Sequence, residues 1–205
     1  MIRIGITGGI GSGKSFVARL LSQRFGIPVY DCDSHARMLM TTSSIIRDQL
    51  KTIVGVDVYL PDGTLNKPLL ANYLFASRNH AVSINAIVHP VVKDDFLRWA
   101  DEEEAKFYFA GRQQLVALES AILLDAGFDD IVDRVLLVDA PQSLRLQRVM
   151  RRDSVTEEQV RKRMQQQMSD EERRQRAHAI IINDGRPLEP QLQTFIHSIT
   201  EEPIN

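Results

Sequence analysis

The feature that most constrains this chain is a glycine-rich run near its start, between a short apolar segment and an amphipathic one. Residues 8–15 read Gly-Gly-Ile-Gly-Ser-Gly-Lys-Ser and match the pattern G-x-x-x-x-G-K-[ST] at every fixed position. Glycine lets the backbone curl so that successive N–H groups point at one anion, and the N-terminus of a following helix adds positive potential. The run therefore predicts a phosphate-binding loop.

The segments on either side of this loop have the character that such a loop requires. Residues 2–7 are short and apolar, which is typical of a buried strand, and the apolar residues within 14–25 follow helical spacing. Gly26 follows as the glycine that commonly ends a helix. Because a strand, the loop and a helix occur in this order, we predict nucleotide binding rather than an accidental glycine turn. Lys14 is expected on the β- and γ-phosphates and Ser15 on Mg²⁺.

Short apolar segments alternate with longer helical patterns along the rest of the chain. We predict four further strands, at 27–30, 115–118, 134–139 and 179–182. We predict helices over 34–51, over 67–107 with breaks near Ser77 and at His89-Pro90, and over 142–177. This alternation predicts an α/β fold of the P-loop NTPase type, with a parallel five-stranded sheet sandwiched by helices. Two helical segments are longer than a crossover needs and are interpreted as lobes mounted on one core.

Composition and net charge indicate a globular protein and argue against nucleic-acid and membrane partners. Of 205 residues, 43% are hydrophobic and 25% are charged, as in an ordinary globular protein. The net charge of −2 provides no general attraction to nucleic acid or to anionic membranes. No apolar stretch is long enough to span a membrane, and the single cysteine, Cys32, allows no internal disulfide. We expect a cytoplasmic monomer or weak homo-oligomer without nucleic-acid or membrane partners.

Carboxylates follow two of the predicted strands. Asp31 and Asp33 come directly after segment 27–30, and the carboxyl ends of parallel strands open onto the crevice of the phosphate loop. A carboxylate there can take the proton of an attacking hydroxyl, a role that contributes about 10²- to 10⁴-fold, or hold Mg²⁺ through water. Alternatively, both aspartates only cap the helix that follows. Glu119 follows another strand and could contact either the metal shell or a helix terminus.

The motifs together resemble those of the dephospho-coenzyme A kinase family. The resemblance rests on the loop with Thr7, on Asp-Cys-Asp-Ser-His-Ala-Arg at 31–37, on Asp-Gly-Thr-Leu-Asn-Lys at 62–67, on His-Pro-Val-Val at 89–92, on 146–152, on Gln167 and on Ile-Asn-Asp-Gly at 182–185. The loop alone is shared by many NTPases. Its combination with the aspartate motif at 31–37 and with His89-Pro90 is far more specific. The resemblance implies that ATP and Mg²⁺ are used to phosphorylate the ribose 3′-hydroxyl of dephospho-coenzyme A, the last step of coenzyme A synthesis.

The resemblance also implies a role for each site residue. Asp33 is expected to be the catalytic base, with Arg37 and His89 beside the acceptor, and Lys14 and Arg148 to be catalytic. The nucleotide-binding set comprises Gly9, Gly11, Ser12, Gly13, Lys14, Ser15, Phe16, Arg148, Arg152, Asn183 and Gly185, of which Asn183 and Gly185 lie by the adenine. One domain, 1–205, is expected to comprise a core (1–59, 108–141 and 178–205), a substrate-binding lobe (60–107) and a lid (142–177) that carries both arginines.

Other interpretations stay open. Arg148 and Arg152 lie four residues apart in a segment with ten Lys or Arg against six Asp or Glu, so they could belong to a solvated basic face. Phe16 and Lys67 stand where the family usually has threonine and arginine. The nearest alternative function is another small-molecule or nucleoside monophosphate kinase on the same core. A non-catalytic nucleotide switch is the alternative from a different class.

Overall fold

The computed structural model describes residues 1–107 and 114–201, and its centre is one sheet with strand order β2-β3-β1-β4-β5. The strands are β1 (Ile2–Thr7), β2 (Val29–Asp31), β3 (Leu115–Glu119), β4 (Arg134–Asp139) and β5 (Ala179–Ile182). The pairs β1–β3, β1–β4 and β4–β5 are parallel, with Ile4 of the central strand opposite Ala117 and Arg134. The parallel five-stranded sheet predicted from the sequence is confirmed, and β1, β4 and β5 have the predicted bounds.

Helices connect and flank these strands. They are α1 (Lys14–Phe25), α2 (Cys32–Thr42), α3 (Ser44–Val54), α4 (Lys67–Ala76), α5 (Arg78–Phe107), α6 (Gln142–Asp153), α7 (Glu157–Gln165), α8 (Asp170–Arg176) and α9 (Glu189–Glu201), with 3₁₀ turns η1 (Val56–Val58) and η2 (Phe128–Ile131). The helix predicted over 34–51 is two helices, because the Ser43 hydroxyl accepts the Ile46 N–H and starts a new one. Among the helices in the described ranges, none is both long and apolar enough to cross a membrane.

Helix α5 corrects one prediction. The break near Ser77 is present, but the break at His89-Pro90 is wrong, because α5 continues through Pro90. An interior proline costs a helix about 3 kcal/mol through the lost hydrogen bond and ring clash. Here Pro90 is exposed, while Ile84, Val88 and Val92 are buried at four-residue spacing. The apolar stripe keeps its periodicity across the proline, and its burial offsets the local cost.

Helix α9 is an element that the sequence analysis missed. Its Leu192, Phe195 and Ile199 are buried at spacings of three and four residues, the signal of an amphipathic helix. The Gln191 side chain ties the helix to β5, because its amide oxygen accepts the Ile182 N–H at 2.9 Å and its Nε2 donates to the Ile182 carbonyl at 3.1 Å. The sequence analysis did not detect this helix because polar residues surround its few apolar positions.

The chain divides into two compact units. The sheet unit comprises Met1–Tyr30 and the chain from Ala100 onward, and the helical unit comprises Asp31–Trp99. In the sheet unit, α1 and α9 pack on the sheet, with Ile4, Leu21 and Leu192 wholly buried.

The helical unit starts earlier than the lobe predicted at 60–107, because α3 packs against both α2 and η1. The functional division into core, lobe and lid stays a prediction. Residues 108–113 and 202–205 of the predicted core lie outside the described residues.

Candidate active site

The phosphate loop joins β1 to α1, as the sequence predicts, and its glycines have backbone conformations that other residues rarely adopt. Gly11 has φ 78° and Gly13, which caps α1, has φ 96°, both in the left-handed region. The Ser12 N–H donates to the Gly9 carbonyl at 3.1 Å and closes the turn. The helix then begins with the Phe16 and Val17 N–H groups bonded to the Gly13 carbonyl at 3.0 and 3.1 Å. The loop thus presents its backbone at a helix N-terminus, where anions bind favourably.

Neighbouring segments of the sheet unit pack closely on this loop. A Cβ atom at Gly13 would lie 2.1 Å from Nδ2 of Asn183, and one at Gly11 would lie 2.6 Å from the Arg145 carbonyl oxygen. A Cβ atom at Gly9 would lie 2.1 Å from Nη1 of Arg145. Packing as well as backbone conformation therefore requires glycine at position 11, where a Cβ atom would meet backbone, whereas at positions 9 and 13 a neighbouring side chain would have to move.

Two residues predicted to bind the nucleotide hold the middle of the loop. Asn183 follows β5, is only 9% exposed, and donates from Nδ2 to the Ser12 carbonyl at 2.8 Å. Arg148 of α6 donates to the Asn183 carbonyl at 3.1 Å and, over 3.4 Å, to the carbonyls of Gly11 and Ser12. The structure therefore brings Arg148 and Asn183 together at the loop. Their side chains contact the carbonyl groups of Gly11 and Ser12 in the middle of the loop.

Two other members of the predicted set lie in different surroundings. The Arg152 guanidinium pairs with Asp153, with Nε 2.7 Å from Oδ1, and Arg163 reaches the same carboxylate at 2.9 Å. The hydrogen bond from Arg152 lowers the pKa of Asp153, and the positive charges nearby act in the same direction. Gly185 has φ 109° in the turn after Asn183, and a Cβ atom added there would have no neighbour within 4 Å among the described residues. The roles of Arg152 and Gly185 stay predictions.

The start of α1 supplies a hydroxyl and an ammonium at the end of the loop, and the end of β3 supplies a carboxylate beside the hydroxyl. Lys14 is 9% exposed, whereas Ser15 and Phe16 are exposed. The Ser15 hydroxyl donates to Oε2 of Glu119, the last residue of β3, at 3.4 Å. Hydroxyl and carboxylate oxygens suit Mg²⁺, which usually keeps several waters and takes one or two protein ligands beside substrate phosphates. Among the described residues there is no cluster of three or more His, Cys, Asp or Glu side chains that could hold a metal ion. The donor set fits Mg²⁺ shared with a phosphate.

In the helical unit, Asp31 at the end of β2 and Asp33 in the first turn of α2 have different surroundings. The Asp31 carboxylate caps α2 by accepting the N–H groups of Asp33 and Ser34 at 3.0 and 3.2 Å and the Ser34 hydroxyl at 2.7 Å. Asp33 is exposed in the first turn, and Arg37 lies one turn further on, with its Nε 2.9 Å from the Asp33 carbonyl oxygen. The Asp31 carboxylate therefore serves as the cap of α2, whereas the Asp33 carboxylate is exposed.

Two histidines of the helical unit lie on α2 and α5, and the acceptor-binding role predicted for His89 stays a prediction. His89 is half-buried in α5, and burial lowers its pKa, with the nearby positive charge of Lys93 lowering it further. His35, which received no role from the sequence, has its Nδ1 3.1 Å from Oδ2 of Asp95 and so connects α2 with α5. Its partner lies 60 residues away along the chain, so no local pattern indicates this contact.

Comparison with known proteins identifies the family. A family model described as dephospho-CoA kinase matches residues 2–189. The chain belongs to the dephospho-CoA kinase family. A dephospho-CoA kinase of Bacteroides fragilis is 46% identical over 196 residues, which cover 95% of this chain and 91% of that protein. A solved structure from Thermus thermophilus is 34% identical, with a TM-score of 0.77 and coverage of 97% of this chain and 98% of that one.

A more distant member of the dephospho-CoA kinase family supports the fold alone. The solved dephospho-CoA kinase of Campylobacter jejuni is 17% identical, with a TM-score of 0.69 over 97% of each chain. The family model and the Bacteroides fragilis relative confirm the family resemblance stated from the motifs, and the solved structures support the architecture that it implies.

The structure also shows residues at the loop to which the sequence gave no role. Gln167 is one of the residues on which the resemblance to the dephospho-CoA kinase family rests, and its Oε1 accepts the Ile10 N–H at 2.9 Å. Arg145 of α6 and Arg173 of α8 are buried beside Gly9 and share the carboxylate of Asp170. In the sequence these arginines are indistinguishable from the exposed ones around them. Only the fold separates them.

Proposed function

We propose that this protein transfers the γ-phosphate of ATP to the 3′-hydroxyl of the ribose of dephospho-CoA, giving CoA and ADP in the last step of coenzyme A synthesis. The observation that carries the proposal is the family match over residues 2–189, because it spans both the phosphate loop and the segment Asp31–Arg37. We further propose a cytoplasmic location, a monomer or weak homo-oligomer, and only small-molecule partners.

The chemistry requires charge neutralisation and positioning more than covalent help, because the transition state of phosphoryl transfer is loose and highly charged. The loop N–H groups and Lys14 bind the phosphates, and Ser15, with Glu119 close by, holds Mg²⁺. When bound, Mg²⁺ neutralises charge that develops on the phosphate oxygens. Arg148 supports the loop beside Asn183, and Arg152 leaves Asp153 to reach the phosphates when the lid over 142–177 closes.

Asp33 acts on the acceptor. Its exposed carboxylate takes the proton of the ribose 3′-hydroxyl as that oxygen forms its bond to the γ-phosphorus. The bond from the γ-phosphorus to the bridging oxygen breaks at the same centre, and ADP leaves with that electron pair. Arg37 and His89 bind the acceptor in the helical unit. An exposed carboxylate suits this role because the acceptor hydroxyl can reach it.

A panel of acceptors with [γ-³²P]ATP tests the proposal. Dephospho-CoA should be labelled efficiently at the ribose, while shikimate and nucleoside monophosphates should stay near background. Efficient labelling of another acceptor would assign the chain a different small-molecule substrate. Slow ATP hydrolysis without labelling of any acceptor would instead support the nucleotide switch. The Lys14→Ala variant provides the control, because label that persists in it would come from a contaminating enzyme.

A further inference from the structure

Two arginines of the sheet unit are buried beside the phosphate loop. Arg145 is 3% exposed and Arg173 is 4% exposed, although arginine is seldom fully buried without a partner. Both guanidinium groups donate to one carboxylate, since Arg145 contacts Oδ2 of Asp170 and Arg173 contacts Oδ1. Arg173 also donates to the Met168 carbonyl. Two buried positive charges thus share one ion-pair partner, which is itself partly exposed.

Arg145 also has a hydrogen-bond donor that Asp170 does not satisfy. Its Nε is buried and has no hydrogen-bond partner among residues 1–107 and 114–201. Burial alone would raise the pKa of Asp170, but the hydrogen bonds and charges of Arg173 and Arg145 hold that pKa below its usual value. The carboxylate is therefore ionised at neutral pH, and the three-residue cluster carries a net positive charge. A second anion would complete the pairing of this cluster.

The cluster faces the start of the loop. A Cβ atom at Gly9 would lie 2.1 Å from Nη1 of Arg145 and 3.1 Å from Nη2 of Arg173. A cavity of about 220 Å³ lies beside the cluster, lined among others by Gln142, Arg145, Arg161, Gln167, Asp170 and Arg173. Its lining is rich in N–H donors, and its volume is several times the roughly 30 Å³ that a water molecule occupies in the liquid. The cavity itself is lined by no residue of the loop, so the observation that points to a phosphate is the pair of guanidinium groups beside Gly9.

The position of Gly9 along the loop indicates which phosphate of the nucleotide lies beside the two arginines. Asn183, assigned to the adenine side, contacts the loop at Ser12 and Gly13. Gly9 lies toward the other end of the loop, so a phosphate beside it is one that is remote from the base. We propose that Arg145 binds the terminal phosphate of the nucleoside triphosphate beside Gly9, with Asp170 occupying its guanidinium until that phosphate arrives. This inference rests on the proposed function in that a nucleoside triphosphate binds the loop with its adenine beside Asn183, as the family resemblance implies.

The discriminating measurement is calorimetric binding of Mg²⁺ complexes of ADP and of a non-hydrolysable ATP analogue. Arg145→Gln should weaken the triphosphate by about 10- to 100-fold, the range for one charged hydrogen-bonding group, and leave ADP within about twofold. Arg151→Gln is the matched control, because Arg151 is an exposed arginine of the same helix and should change neither affinity. Equal losses for both nucleotides, or no loss in a folded Arg145→Gln variant, would assign Arg145 to fold maintenance alone.

A second variant has an effect of opposite sign. Asp170→Asn removes the competing carboxylate, so the triphosphate should bind several-fold more tightly while ADP stays within about twofold. Unchanged or weaker triphosphate binding would overturn the inference, and this variant decides alone if Arg145→Gln lacks a cooperative melting transition. Neither experiment needs an acceptor. Failure to phosphorylate dephospho-CoA would therefore refute the proposed function without touching this inference, whereas a wild-type chain that binds no triphosphate would refute both.

Discussion

The phosphate loop of the sheet unit and the segment Asp31–Arg37 of the helical unit carry the two halves of the proposed reaction, and they hold their groups in different ways. In the loop, the binding groups are backbone N–H groups, and neighbours such as Asn183 pack so closely that a Cβ atom at Gly13 would have no room. In the segment, Asp33 and Arg37 are exposed, and the latter bonds only one turn back along its own helix. A backbone site is preformed, whereas exposed side chains take their final positions with the ligand.

The largest expected effect is at the preformed site. Replacing Lys14, which is buried at the end of the loop, by alanine should lower kcat by about 10³-fold or more, because a charge that stabilises the transferring phosphoryl group is lost. Steady-state kinetics with dephospho-CoA measure this loss. Lys162→Ala is the matched control, since Lys162 is an exposed lysine that pairs with Glu158 at 3.0 Å, and its turnover should equal that of the wild type. Wild-type kcat in Lys14→Ala would remove the loop from the mechanism.

The next largest effect distinguishes Asp33 from Asp31, because one substitution should lower kcat and the other should lower stability. Asp33→Asn should lower kcat by about 10²- to 10⁴-fold with little change in ATP affinity, because the proton acceptor is lost. Asp31→Ala should instead lower the free energy of unfolding by about 1 kcal/mol, since two N–H groups of α2 lose their cap. Kinetics and urea unfolding of both variants provide the comparison. Loss of acceptor affinity alone in Asp33→Asn would make Asp33 a binding group.

Sequence reasoning succeeded where the determinants are local. The strand Ile2–Thr7, the helix Lys14–Phe25 and the left-handed Gly26 depend on neighbours in the chain, and the structure has them at the predicted positions. The pattern Thr-x-x-Gln at 156–159 is local as well, because it predicts a capping box at a helix start, and both of its hydrogen bonds form. The Pro90 prediction failed because a rule about local geometry was applied where burial along a long helix decides.

The site residues show the same limit. Arg148 and Asn183, which the resemblance assigns to the nucleotide, contact the loop, and their nucleotide-binding roles stay predictions, whereas Arg145 and Arg173 received no role from the sequence. Their significance depends on Gly9, more than 130 residues earlier in the chain, and on one shared carboxylate. Composition shows a basic helix, but it does not show which arginines are buried. Such information exists only after the chain has folded.

Two glycines sharpen the contrast between a preformed site and an ordinary helix end. Gly13 and Gly26 both have positive φ, at 96° and 65°, but a Cβ atom would meet Asn183 at 2.1 Å in the first case and nothing within 4 Å in the second. Gly26→Ala should therefore cost only about 1 kcal/mol of backbone strain and leave ATP affinity unchanged. Gly13→Ala adds displacement of Asn183 and should weaken ATP by about tenfold or more. Equal ATP affinities in the two folded variants would show that the loop tolerates adjustment.

The smallest expected effect lies in the helical unit and concerns pH. Burial, and then the charge of Lys93, lower the pKa of His89 in the folded chain below its unfolded value of about 6.5. The unfolded chain therefore binds more protons, so the contribution of His89 to stability is complete above about pH 6.5 and is lost as the pH falls through the folded pKa. Urea unfolding between about pH 5 and 7 should show a shallower dependence in His89→Gln, and a partial reduction in Lys93→Gln because only the second cause is removed. A wild-type slope in His89→Gln would mean that other groups carry the acid sensitivity, and that the half-buried position of this histidine has no energetic consequence for folding.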